Sequence, residues 1–135
     1  MAIYLDHAAT TPVRREAIEA AWPWLNSEFG NPSSRHELGL RAADALSAAR
    51  THVAVWLGCR PSEIIFTSGA TESNNTAIIG IALANLATDT SRRHILSART
   101  EHESVLEALS FLERFHGFEI EWMATNRAGQ ISPEA

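Results

Sequence analysis

At 135 residues the chain has room for one domain of ordinary size and a single sizeable core. Apolar residues make up 45% and charged residues 20%, the proportions of a soluble globular protein and not of a disordered one. A formal net charge of −5 supplies no basic field for nucleic acid, and the longest apolar run, Ala77 to Leu86, is too short for a membrane span.

The opening MAIYLDHAATT carries Asp6 and no basic stretch ahead of a long apolar run, so it does not read as a signal peptide. Tyr4 to Pro12 (YLDHAATTP) reads as an extended, small-residue loop, either close to a ligand or simply leading into a helix. Arg14 to Phe29 reads as a helix that Pro23 should kink or split between Trp22 and Trp24. Gly30 to His36 (GNPSSRH) is a turn cluster by composition, and its spacing assigns it no chemistry. Leu38, Ala42, Ala45, Leu46, Ala49, Val53, Trp56 and Leu57 then recur at intervals of three and four, one face of a helix that Gly58 stops.

From Glu63 onward strands and helices alternate. Ile64 to Thr67 reads as a strand, Ser68-Gly69 as a tight turn and Ala70 to Leu86 as a helix. His94 to Ala98 is the next strand, Ser104 to His116 a helix and Phe118 to Met123 a further strand. Ser104 and Glu107 have the spacing of a capping box, which predicts the helix start at Ser104. Ser132-Pro133-Glu134 reads as one more helix start, cut off at Ala135. This order predicts an α/β fold with a parallel sheet built from βαβ units.

Two segments carry candidate chemistry. In Phe66 to Asn75 (FTSGATESNN) a strand runs through a glycine turn into a helix, whose unpaired N–H groups and positive dipole end favour an anion such as phosphate. Thr71 adds a hydroxyl, while the spacing and Lys of a nucleotide P-loop are missing. The alternative is a helix merely capped by Ser68. In Thr100 to Val105 (TEHESV), His102 lies just beyond a strand, on the side where open α/β sheets bind ligands. It suits stacking on a planar ring or proton transfer near neutral pH, although a lone histidine is more often a loop residue with one hydrogen bond. His36 and Glu37, or Glu101 to Glu103, lack metal-site spacing, so no metal is expected, and no G-x-S-x-G elbow supports a serine hydrolase.

Taken together, YLDHAATTP, GNPSSRH, EIIFTSGATESNN and TEHESV stand in the order and approximate spacing of the aminotransferase class V family, and the chain resembles its IscS/NifS-type cysteine desulfurases in particular. The selenocysteine-lyase branch is less similar in its opening and glycine-turn motifs. The resemblance implies a truncated, partial parallel-sheet fold of the pyridoxal-phosphate-dependent transferases (fold type I). About residues 1–29 would form an N-terminal segment, and about 30–135 the start of the cofactor-binding large domain. It implies pyridoxal 5'-phosphate as cofactor, Ala70 and Thr71 as donors to its phosphate, and His102 as the residue that stacks on the ring and assists proton transfer. L-cysteine would be the substrate and alanine the product. The sulfur would pass through an enzyme persulfide to acceptor or scaffold proteins of iron–sulfur cluster assembly or thiolation, in a cytoplasmic homodimer.

The sequence departs from that family in one decisive respect. All eleven cationic residues are arginine, so the lysine that binds the cofactor covalently is missing, and the resemblance places it, the acidic partner of the pyridine nitrogen and the persulfide cysteine beyond Ala135. Cys59, the only cysteine, follows a helix end in LGCRP and is expected to be a small packing or surface residue. It excludes an intrachain disulfide and agrees with a reducing cytoplasm. The chain is therefore expected to be the N-terminal portion of a desulfurase, inactive alone. Two alternatives remain open: a finished non-catalytic product that binds a partner or phosphate ligand, and another class V enzyme.

Overall fold

The computed structural model describes residues 3–131, which divide into two compact units between Ile65 and Phe66. The predicted helix start at Ser132 to Glu134 lies outside the described residues.

The first unit holds α1 (Arg15–Asn26), α2 (Glu37–Leu57) and a 3₁₀ turn at Pro61–Glu63. The predicted split at Pro23 does not occur: α1 is one continuous helix. Proline removes a single N–H from the ladder, and its own carbonyl then accepts from Ser27 and Glu28 at 2.9 and 2.8 Å, closing the final turn. Between the helices, the turn cluster packs onto the first turn of α2 through two glycines. A Cβ on Gly39 would sit 2.4 Å from the Ser34 carbonyl oxygen and 2.8 Å from that of Asn31, and one on Gly30 would sit 2.3 Å from the Leu38 carbonyl oxygen. The Asn31 side-chain oxygen accepts from the Ser33 N–H at 2.9 Å, and His36 caps α2 by accepting the Gly39 N–H at 3.3 Å through Nδ1. Gly58, at φ 67°, ends α2 as predicted, with the Cys59 N–H returning to the Ala54 carbonyl at 3.0 Å. Cys59 itself is half-buried.

The second unit runs α3 (Ala70–Thr88), β1 (His94–Ala98), α4 (Glu103–His116), β2 (Glu119–Met123). The predicted strand at Ile64 to Thr67 is absent. Ile64 has extended backbone angles, but a strand exists only by pairing, and no ladder partner occurs among the described residues. β1 and β2 pair in parallel, with His94 opposite Glu119 and Ala98 opposite Met123. A helical crossover between parallel strands is the βαβ unit that the alternation predicts. α3 packs against α4 and the sheet around Ala82, Leu112 and Phe118, with Ile78, Ile79, Leu83, Leu86, Ile95 and Ile120 completing the cluster. Leu109 and Leu112 are the largest fully buried side chains. Gly117, at φ 66°, turns the chain from α4 into β2, and the Arg93 guanidinium donates to the His116 carbonyl at that turn.

The α4 start differs from expectation. The cap is His102, two residues ahead of the predicted Ser104. Ser104 is buried, and its hydroxyl is directed to other partners.

Two glycine substitutions should separate close approach from mere helix content. Gly39→Ala meets backbone atoms at impossible distances and is expected to destabilise the chain by about 1–3 kcal/mol. Gly80→Ala, in the middle of α3 with nothing within 4 Å of the added carbon, is expected to stabilise it by about 0.5–1 kcal/mol. Urea unfolding of both variants measures this, and equal effects would contradict the packing of the turn on α2.

Candidate functional site

The first candidate segment forms the entry to α3. Gly69 precedes the helix in fully extended conformation, φ 167° and ψ −177°, and a Cβ placed on it would meet nothing within 4 Å. The incoming loop is fastened by side chains one turn further on. Glu72 accepts both the backbone N–H and the hydroxyl of Ser68, each at 2.6 Å, while the Thr67 and Ser73 hydroxyls pair at 2.6 Å. Those Ser68 bonds, the hydroxyl first and the N–H second, hold the Glu72 carboxyl below its ordinary pKa. Ser68 is thus a donor to Glu72 and not the cap that the alternative sequence reading supposed.

This fastening leaves the helix end open. Among the described residues, the N–H groups of Gly69, Ala70 and Thr71 and the Thr71 hydroxyl have no hydrogen-bond acceptor. Only the Thr71 carbonyl is engaged, by the Asn75 amide at 2.8 Å. The first N–H groups of any α-helix lack intrahelical partners, and together with the dipole they attract an anion. Ala70 and Thr71 are exposed, so the donors are accessible.

His102 reaches the same end of the unit through a side-chain bridge. Its Nδ1 accepts the Ser104 N–H at 3.1 Å, which makes it the cap of α4, and lies 2.9 Å from the Ser104 hydroxyl oxygen. That hydroxyl oxygen accepts in turn from the Asn74 amide nitrogen at 2.9 Å. Asn74 is one turn into α3, so the bridge links the openings of the two helices. The imidazole is exposed, and its Nε2 has no partner among the described residues. Ala70, Thr71 and His102 are candidates from the sequence, and Ser104 is read there only as a helix cap, so the pairing of Asn74 with Ser104 is not foreseen. The two are thirty positions apart, and no local spacing signals their pairing.

Two grooves of this unit lie elsewhere. One of about 600 Å³ is lined by Ile78, Ile81, Ala82, Ile95 and Phe118, and another by Arg99, Glu107, Glu113 and Trp122. The first runs along α3 beside β1 and the second along α4 beside β2. Neither contains Ala70, Thr71 or His102, whose donors stand on an open surface. In the first unit, Tyr4 donates through its hydroxyl to the Asp6 carbonyl at 2.8 Å and to that of Thr10 at 3.2 Å, which folds the YLDHAATTP segment back on itself. None of the helices described is long and apolar enough to cross a membrane.

Comparison with known proteins identifies the family. The aminotransferase class-V family profile matches residues 3–135. The cysteine desulfurase IscS of Dictyoglomus turgidum is 47% identical over 132 residues, and that of Methanosarcina thermophila 44% over 133. Each match covers 98% of this chain, which spans 32% of the length of those curated relatives. Among solved structures, SspA in complex with cysteine superposes with a TM-score of 0.84 at 40% identity, covering 97% of this chain and 37% of that one. A NifS-like protein gives 0.85 at 36% identity, covering 99% and 36%. The profile match over nearly every residue leads to one conclusion: the chain belongs to the class-V aminotransferases, a family of pyridoxal-phosphate-dependent enzymes.

Proposed function

We propose that this chain supplies the phosphate seat and ring platform of a pyridoxal-phosphate-dependent cysteine desulfurase. The observation that carries the reading is the entry to α3, where the N–H groups of Gly69, Ala70 and Thr71 and the Thr71 hydroxyl have no acceptor among the described residues. A phosphate monoester fits that donor set, and a planar pyridine ring fits an exposed imidazole. The relatives' names and the cysteine held by SspA support L-cysteine as substrate.

In this reading residues from about 30 onward open the cofactor-binding domain. The Ala70 and Thr71 N–H groups and the Thr71 hydroxyl bind the phosphate oxygens, and the helix dipole adds to their attraction. Glu72, kept charged by Ser68, fastens the loop so that these donors stay aligned without being consumed. His102 offers a ring face for stacking and holds or moves a proton at Nε2. When bound, the cofactor supplies the electron sink for bond cleavage at the amino acid. The sulfur would pass to acceptor proteins in the cytoplasm from a homodimeric enzyme.

Three outcomes test the reading. In an enzyme carrying this segment and a lysine, Thr71→Val keeps the shape and removes one donor to a charged group. Cofactor affinity should fall by about tenfold or more, the worth of a charge-assisted hydrogen bond. Unchanged affinity in a spectroscopic titration would remove Thr71 from the phosphate seat.

His102→Asn is the informative substitution at the histidine, because asparagine still caps a helix while the aromatic ring is lost. Turnover should drop by about 10²–10⁴-fold with little change in melting temperature. A variant that melts normally and turns over normally would return His102 to a purely capping role.

The third outcome concerns the 135-residue chain itself, which contains no Lys. Arginine stays protonated and cannot replace a lysine amine as nucleophile. Incubation with pyridoxal phosphate, borohydride reduction and peptide mapping should reveal no stoichiometric internal label, and sulfide release from L-cysteine should not exceed that of free cofactor. A single fully labelled internal site would be incompatible with the proposal.

A further inference from the structure

We infer that Asn74 and Ser104 are positioning residues that set the tautomer of His102, so that its exposed edge is an Nε2–H donor. The inference rests on the proposed role of His102 and concerns how that side chain is prepared before any ligand arrives.

The Ser104 N–H has its hydrogen on nitrogen and points at His102 Nδ1 at 3.1 Å, so Nδ1 is an acceptor. An Asn side-chain nitrogen can only donate, so the Asn74 amide at 2.9 Å makes the Ser104 oxygen its acceptor. The Ser104 hydroxyl hydrogen is then free to point the other way, to His102 Nδ1 at 2.9 Å. Both contacts require a lone pair on Nδ1. In a neutral imidazole only one nitrogen carries hydrogen, which places it on Nε2.

Burial makes the arrangement selective. Ser104 is 8% exposed, so water has little access to compete for its hydroxyl. Turning His102 to the other tautomer would bring an N–H against the Ser104 N–H and break the cap of α4. The energetic cost falls on the inner edge of the ring, while the outer edge is where a ligand would meet it. Histidine ligands of metals are prepared in the same way, the bond made by one nitrogen fixing the state of the other. Here the bond partners come from two helices, so the ring orientation depends on their packing and not on the local turn alone.

The test uses ¹⁵N-labelled histidine in the 135-residue chain, with long-range ¹⁵N–¹H correlations reporting which His102 nitrogen carries hydrogen. The unsubstituted chain is expected to show the Nε2–H form in excess over the Nδ1–H form. Asn74→Ala frees the Ser104 hydroxyl to turn away, and Ser104→Ala removes the hydroxyl while keeping the backbone cap. Each should shift the ratio of the two forms by about fivefold toward Nδ1–H, the worth of one hydrogen bond, and Ser104→Thr, which retains the hydroxyl, should restore the original pattern. A merely structural Ser104 would alter the melting temperature without moving the tautomer ratio. An Nδ1–H form that equals or exceeds Nε2–H in the unsubstituted chain, or an unshifted ratio in Asn74→Ala and Ser104→Ala, would overturn the inference. If one variant does not fold, the other decides the matter. Addition of pyridoxal phosphate separates the underlying reading: a fixed tautomer whose signals ignore the cofactor preserves the positioning role and rejects the site.

Discussion

The 2.9 Å hydrogen bond from Asn74 to Ser104 connects two helices that the chain order separates by a strand. Everything proposed for the second unit depends on α3 and α4 opening toward a common place, because the donors of Ala70 and Thr71 belong to one helix and His102 caps the other. The apolar cluster of Ala82, Leu112 and Phe118 brings the helices together, but burial is non-directional and would tolerate sliding of one along the other. A hydrogen bond between a helix-borne amide and a buried hydroxyl has direction. It selects one alignment from those the core permits, and the site inherits that alignment.

Much of this architecture was legible in the residues. The period-three-and-four run from Leu38 to Leu57 and its glycine stop at Gly58 appear where predicted, as does β1 at His94–Ala98. These features are local, since periodicity and a left-handed cap are determined by neighbours in sequence. The phosphate-seat candidates at Ala70 and Thr71 were legible for the same reason: a turn before a helix exposes N–H groups whatever the rest of the fold does.

The failures share a different cause. Ile64 to Thr67 has the composition of a strand, yet no strand can be declared from one side of a ladder. The split at Pro23 is absent because the helix continues through the proline, whose carbonyl serves the turn that follows it. Ser104 fitted a capping box with Glu107, but the turn begins earlier, at an imidazole that accepts as well as any cap oxygen. Once His102 takes that position, Ser104 is released to bond with Asn74. The GNPSSRH cluster likewise had no role readable from spacing. Its role emerges from Gly30 and Gly39, which let two stretches of backbone meet where a methyl group could not stand.

The βαβ arrangement of the second unit also bears on how the protein is made. Its core residues lie between Ile78 and Ile120, and its two strands are joined by a single intervening helix. A parallel pair needs its crossover before the strands can meet, so β1 stays unpaired until α4 and β2 have been made. At a synthesis rate of about 5–20 residues per second, the stretch from His94 to Glu119 keeps β1 waiting for about a second or more. The apolar face of α3 is uncovered for the same interval, the period in which such a face is most open to wrong association.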